Sequence, residues 1–588
     1  MVLWSAASIK STWVRDEAAV GRDNGRLIPV LIEAIDPPLG FRQFQCISLT
    51  DWRGRGQPPS MPRILSTIAT MGSRPAETER FSAASARRRL AFPQWGAFLL
   101  LVLVVMAGIG IFLRSHAISE TAPPSVVVSA IKSASPRLSA ELAHQIVLDL
   151  GRFQEGPLSG ISIRQTSQSG SNKPDYRVEV GLRTLDNGGL HGDATMLDRT
   201  DVVLWATNVD VAASRLADLH QQMSAQIGSV LGCSVRAPSL RPQPNGELLK
   251  LYLTGCASLY GSLGFPEDQT YNTFQRITAL QPNLADGWAA LALMEADIPP
   301  SDPDYPQIRR QAIEHLTRAK QLNSHLDLVY AAETRLHSFD MNYGAPIAAL
   351  ERAVIEHPDS ALLNNDLAAA YMRVGRVRDA AEMARNAFLL NPLSDGALSS
   401  YVYALAFSGN LEAAKKELDE AERIWPGLET IEAARYYLNL RYADAAEASR
   451  VAAEHSELIN PTAAQQALIV ARLSPTEANK NRAIAAYEGA YRSASGEIIN
   501  LIQALGTFGR VDEAFAVLRT ARTDALVANS DTFFRPNMRS IRADARFIAE
   551  ANRLGLTKVW KETGRWPDFC SDPDLPYVCK KEAQKFTD

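Results

Sequence analysis

At 588 residues the chain is long enough for roughly three or four domains. A formal net charge of -4, with 46% hydrophobic and 21% charged residues, describes ordinary folded domains. It excludes an extensively disordered chain and a strongly basic nucleic-acid binder.

The first 52 residues pattern as α/β. Val2-Leu3-Trp4-Ser5 ends an apolar strand, and a helix from about Thr12 stops at Asn24-Gly25. Leu27 to Ile32 is a continuous apolar strand of the kind buried in a parallel sheet, and a last short strand is expected near Cys46 to Leu49. From Arg53 to Leu90 the composition turns to Gly, Pro, Ser and Arg; a short helix from Met61 to Met71 closes this part, and Gly72 to Ala86 is expected as a flexible tether.

The run from Trp95 to Leu113 holds 19 residues without a charge. That is close to the roughly 20 residues a helix needs to cross a bilayer. Arg87, Arg88 and Arg89 precede it, while only Arg114 and His116 follow closely. The positive-inside rule then predicts a single-pass bacterial inner-membrane protein, with a cytoplasmic N-terminal part and a periplasmic C-terminal part.

Beyond the spacer at Ala122-Pro123-Pro124, residues 125–235 pattern as a small α+β domain. Ser139 to Leu150 is an amphipathic helix. Tyr176 to Arg183 alternates with period two, Gly188-Gly189 turns the chain, and Val202 to Ala206 returns as a strand. Leu216 to Leu231 completes the unit as a helix.

From residue 246 to about 560 the chain is helical and periodic. Pro358, Pro392 and Pro426 recur every 34 residues, as do Ala353, Ala387 and Ala421, and Gly375 and Gly409 keep the same interval. Small residues where helices approach, and prolines where they stop, form the tetratricopeptide (TPR) pattern of stacked helix pairs with a concave groove. Weaker copies end at Leu280-Gln281-Pro282 and around Gly509 to Ala514. The remainder, 561–588, reads as a capping tail. Trp288, Tyr371 and Tyr401 are expected at helix contacts, and His144 and His357 in packing or on the surface.

Of five cysteines, Cys46 precedes the apolar run and Cys233, Cys256, Cys570 and Cys579 follow it. Pairing by closeness in sequence predicts Cys233–Cys256 and Cys570–Cys579 disulfides, with inert buried thiols as the alternative. Neither the cysteines nor the nine histidines have metal-ligand spacing, so no metal site is expected. No phosphate-binding loop, nucleophile elbow or zinc-protease motif occurs.

Two resemblances add expectations. Val2 to Ser5, Ser11 to Glu17, Gly25 to Ile32 and Leu49 to Trp52 resemble the C-terminal half of a bacterial Toll/interleukin-1 receptor (TIR) domain, a flavodoxin-like α/β fold, across residues 1–71. The resemblance implies TIR–TIR association and, in NAD-cleaving members, a catalytic glutamate that falls on Glu17, with Trp13 beside the nucleotide. NAD would then be a substrate, and no resident cofactor is implied. The first half of the domain has no counterpart, which leaves open a start upstream of Met1 or a degenerate remnant. Residues 125–235 resemble the TolB-like domain that precedes helical repeats in bacterial regulators.

The expected whole is multidomain: a partial TIR-like domain (1–71), a linker (72–91), a transmembrane helix (92–113), a spacer (114–124), a TolB-like domain (125–235), an all-α TPR solenoid (246–560) and a disulfide-capped tail (561–588). The expected function is membrane-anchored signalling through a groove that binds protein or peptide partners, with possible homo-oligomerisation. An NAD glycohydrolase using Glu17, and an envelope scaffold with an inert TIR remnant, are the alternatives.

Overall fold

In the computed structural model the described residues are 2–5, 8, 18, 27–33, 41, 46–50, 60–61, 124–131, 135–153, 158, 160–165, 173–236, 246–260, 269–300, 302–425, 428–493 and 498–586. The chain divides into two compact units, Met1–Ile118 and Ser119–Asp588.

In the first unit, β1 (Val2–Trp4), β2 (Pro29–Leu31) and β3 (Ile47–Ser48) form a parallel sheet in that order. Strands therefore occur where the apolar runs place them. Trp4 and Val30 are fully buried, and Trp4 packs on Phe41 with ring centroids 5.3 Å apart. Trp13, Glu17 and the run Trp95–Leu113 lie outside the described residues.

Among the described residues, no helix is long and apolar enough to cross a membrane. The single-pass inner-membrane assignment, with its cytoplasmic and periplasmic halves, is corrected on that finding. That assignment rests on the hydropathy of one segment and the arginines before it, and no described helix is long and apolar enough to support it.

The second unit opens with a mixed sheet of order β5-β4-β6-β7-β8. Its strands are β4 (Ser125–Ala130), β5 (Ser162–Gln165), β6 (Tyr176–Thr184), β7 (Leu190–Asp198) and β8 (Val203–Val211). Helix α1 (Pro136–Gly151) crosses from β4 to the parallel β5, and β6, β7 and β8 continue as antiparallel neighbours. Burial alternates along β4, so Val126 and Val128 face the core with Leu142 and Ile146 of α1. Helix α2 (Leu216–Arg236) packs on β7 and β8. A disulfide joins Cys233 of α2 to Cys256 of the next helix, with an S–S distance of 2.03 Å.

That next helix starts a solenoid of eight helix pairs among the described residues. They are α3/α4 (Gly246–Leu259, Thr270–Leu280), α5/α6 (Ala285–Ala296, Tyr305–Leu322), α7/α8 (Asp327–Leu336, Gly344–Glu356) and α9/α10 (Ala361–Arg373, Val377–Leu390). Then follow α11/α12 (Asp395–Phe407, Leu411–Ile424), α13/α14 (Glu429–Arg441, Ala445–Glu454), α15/α16 (Ala463–Leu473, Glu477–Ser493) and α17/α18 (Ile498–Thr507, Val511–Thr520).

First helices begin at residues 327, 361, 395, 429 and 463, which are 34 apart. Side-chain caps mark three of these starts, 361, 395 and 463, and that of the second helix α12. The side chains of Ser360, Ser394 and Asn410 accept from backbone N–H groups three residues on, and Thr462 with Gln465 forms a capping box. Between helices the chain turns through Gly375 (φ +80°) and Gly409 (φ +91°), a left-handed conformation that costs most residues about 1 kcal/mol. Ala353, Ala387 and Ala421 are buried where the pairs close up. The region is thus a TPR-like helical solenoid attached to a small sheet domain.

The tail does not merely cap the last pair. After α19 (Thr523–Ala528), the segment 530–586 carries α20 (Arg539–Arg542), α21 (Arg546–Arg553), α22 (Leu556–Thr563) and α23 (Cys579–Ala583). It packs on α17 and also returns to α8 and α9. The indole of Trp560 donates to Val374 O at 2.9 Å, the Asp568 amide donates to Gly375 O at 3.0 Å, and Arg565 bonds Glu351 at 3.1 Å. Phe533, Phe534, Phe547 and Phe569 join the same core as Tyr371 and Val374. A Cys570–Cys579 disulfide lies within this tail.

Candidate functional site

The first helices α5, α7, α9, α11, α13 and α15 each touch the next, whereas the second helices are not in comparable contact with one another. The stack therefore curves with the first helices on its inner face. The returning tail brings Asp531 and Arg535 to that face. A cavity of about 560 Å³ lies there, lined by side chains from α9, α11, α13, α15 and α17 together with those two.

Its walls are aromatic. Tyr403 and Phe407 come from α11, Tyr437 from α13, and Tyr442 follows α13. The Phe407 and Tyr442 rings meet edge to face at 5.7 Å. Burial pushes the Tyr403 hydroxyl up to about 12, so it stays a neutral donor at any ordinary pH.

Its polar groups converge on Gln503, a buried residue of α17. The Gln503 Oε1 accepts from Arg535 Nη1 at 3.1 Å, Arg441 Nη1 at 3.3 Å and the Tyr442 hydroxyl at 3.5 Å. Arg441 Nη2 also donates to Asn500 Oδ1 at 2.9 Å. Asp531 is the one carboxylate lining the cavity, and it pairs with Arg535 at 2.7 Å. Burial disfavours the Arg535 charge, but Asp531 and Tyr442 together more than offset it and hold the guanidinium above its usual value. The turn carrying Arg535 is fixed by buried Arg542, which donates to Phe533 O at 2.7 Å and to Arg535 O at 2.8 Å.

A second cavity, of about 440 Å³, lies among α7, α8 and α9. Its cations are already partnered. Arg335 grips Asp366 through Nε and Nη2 and reaches Asp297 at 2.6 Å. Arg373 donates to Ser338 O and Ala528 O.

The residues singled out by sequence lie elsewhere. Tyr401 stacks on Phe388 at 5.8 Å, Tyr371 bonds Glu351, and Trp288 packs on His315. His144 bonds Gln165, and the His357 ring lies 5.7 Å from Tyr330. Among the described residues, no group of three or more His, Cys, Asp or Glu could hold a metal ion. Arg441, Gln503 and Arg535 escape a sequence reading because they lie 62 and 32 residues apart along the chain, meet only by way of the curved stack, and carry no motif.

No family model matches the chain, and no curated protein matches it. The TIR and TolB resemblances are corrected on that finding. The short parallel strands and the single helix crossover that suggested them occur in many unrelated α/β sheets, so they do not identify a family. Among solved structures the chain is similar to one titled "Crystal structure of APC/C hetero-tetramer Cut9-Hcn1", with 12% identity, a TM-score of 0.32, and coverage of 63% of this chain and 72% of that one. A likeness that distant has no bearing on what this chain binds or does.

Proposed function

We propose that this chain is a protein-interaction scaffold whose inner solenoid face holds a segment of a partner protein. The observation that supports the reading most is the aromatic cavity between the inner helices and the returning tail. Concave, mostly apolar pockets with a few convergent polar groups are the usual form of a binding site. Tyrosines suit that purpose because they bring large contact area and a polar tip at small entropic cost.

A displayed library of random dodecapeptides, panned against the full chain, tests this. Enriched peptides are expected to lose at least about tenfold in affinity for a Tyr403→Ala/Tyr437→Ala variant whose melting remains cooperative. Peptides that bind wild type and variant equally would contradict the groove as the site.

A further inference from the structure

The charge arrangement in the groove names the chemistry of the partner. We infer that Arg441, with Arg535 beside it, is built to receive a carboxylate of an acidic partner segment; the inference rests on the groove reading above.

Gln503 Oε1 has two lone pairs, yet three donors point at it. Their separations of 3.1, 3.3 and 3.5 Å are long for guanidinium and phenol donors, which approach a charged oxygen to about 2.7–2.9 Å. A neutral amide oxygen is therefore shared among donors that it satisfies poorly. Arg535 already has Asp531. Arg441 has two amide oxygens and the face of the Tyr437 ring 5.4 Å away, with no carboxylate within ion-pair distance among the described residues. The lining thus carries two guanidinium groups against one carboxylate.

An incoming carboxylate would balance that excess and give Arg441 the planar, bidentate acceptor that its fork geometry fits. The aromatic walls at Tyr403, Phe407 and Tyr437 would hold apolar side chains flanking the acid. An amine or a guanidinium entering the same space would meet two guanidinium groups, with only Asp531, already paired to Arg535, to offset the repulsion. The occupant is therefore an acidic peptide segment with neighbouring apolar residues.

The test uses the dodecapeptide library on the full chain, followed by synthetic peptides measured by fluorescence anisotropy. The expected result is enrichment of Asp or Glu beside apolar residues. Changing that acid to its amide should weaken binding by about 30-fold, and raising salt should weaken the acidic peptide more than its amide analogue. Arg441→Gln should abolish the difference between acid and amide, while Arg441→Lys should retain part of it. The comparison between acid and amide peptides on the wild-type chain does not depend on any variant folding. If enriched peptides need Tyr403 and Tyr437 but show no preference for acid, the carboxylate inference is overturned and the groove survives. If no peptide is enriched, or the enriched peptides ignore those tyrosines, both readings fall.

Discussion

The Trp560 indole N–H donates to the carbonyl oxygen of Val374 at 2.9 Å, across 186 residues of sequence. One hydrogen bond thus joins the tail to the turn between α9 and α10. Beside it, Phe534 sits where any side chain on Gly375 would have to go. The tail is a structural part of the array, and it carries Arg535 into the groove.

Gly375 and Gly409 separate the effect of backbone conformation from that of packing. Both have positive φ, but an added Cβ at Gly409 meets nothing within 4 Å, whereas at Gly375 it would approach Phe534 and Pro567 to 2.5–2.7 Å. Gly409→Ala should cost about 1 kcal/mol from backbone strain alone. Gly375→Ala should cost roughly 1–3 kcal/mol more, because aromatic atoms must move. Chemical denaturation of the two variants measures the difference, and equal losses would contradict the tail's seat on this turn.

Asp366 is buried and grips Arg335 by two nitrogens. Asp366→Ala leaves that guanidinium with Asp297 as its one carboxylate partner and should destabilise by about 2–3 kcal/mol, less than the loss of a sole buried partner. Replacing both partners, as in Arg335→Met/Asp366→Leu, should recover much of the loss, since an ion pair in the interior gains little over apolar packing. A double variant no more stable than Asp366→Ala would show that the pair contributes more than its mutual neutralisation.

Glu432 titrates in an unfavourable place. Burial raises its carboxyl above the usual range, and the facing Glu422 adds to this, against His455 and Arg435. Asp419 also faces Arg435 from α12. The folded chain therefore binds this proton more tightly than the unfolded chain does. The stability this contributes is fully present below the ordinary carboxylate pKa of about 4.3, and it is lost as pH rises through the raised folded value. Glu432→Gln should remove that loss and raise the melting temperature at pH 8 more than at pH 4. A lower melting temperature at pH 8 would contradict the direction.

The Cys570–Cys579 bridge spans nine residues and lies next to Phe569, which packs on Phe534 and Phe547. Cys570→Ser/Cys579→Ser should cost about 2–3 kcal/mol on the loop-entropy scale. Limited proteolysis should then cut the tail before the helix pairs. Cleavage that begins in the helix pairs would contradict a tail anchored through this segment.

The helix pairs were legible because close packing restricts Ala353, Ala387 and Ala421 to one small residue type at a fixed interval, and because positive φ restricts Gly375 and Gly409 to glycine. Those constraints are local and repeat, so they leave a period in the sequence. The three short strands of the first unit were legible as apolar runs, but a parallel sheet alone does not specify a family. The tail's return to Val374 and Gly375 left no such trace. It depends on contacts between residues nearly 200 positions apart, and Phe534 or Trp560 would look the same in any apolar core. Arg441 and Gln503 look like ordinary polar positions on amphipathic helices until curvature brings them together.

We propose the inner face of the solenoid, closed by its own tail, as the binding surface. Hydrogen–deuterium exchange of the full chain, with and without an enriched peptide, tests it most directly. Protection should concentrate in 395–407, 429–441, 498–507 and 530–535, the segments that surround the cavity. Protection confined to the sheet domain at 125–236 or to the outer helices α10, α12 and α14 would contradict it.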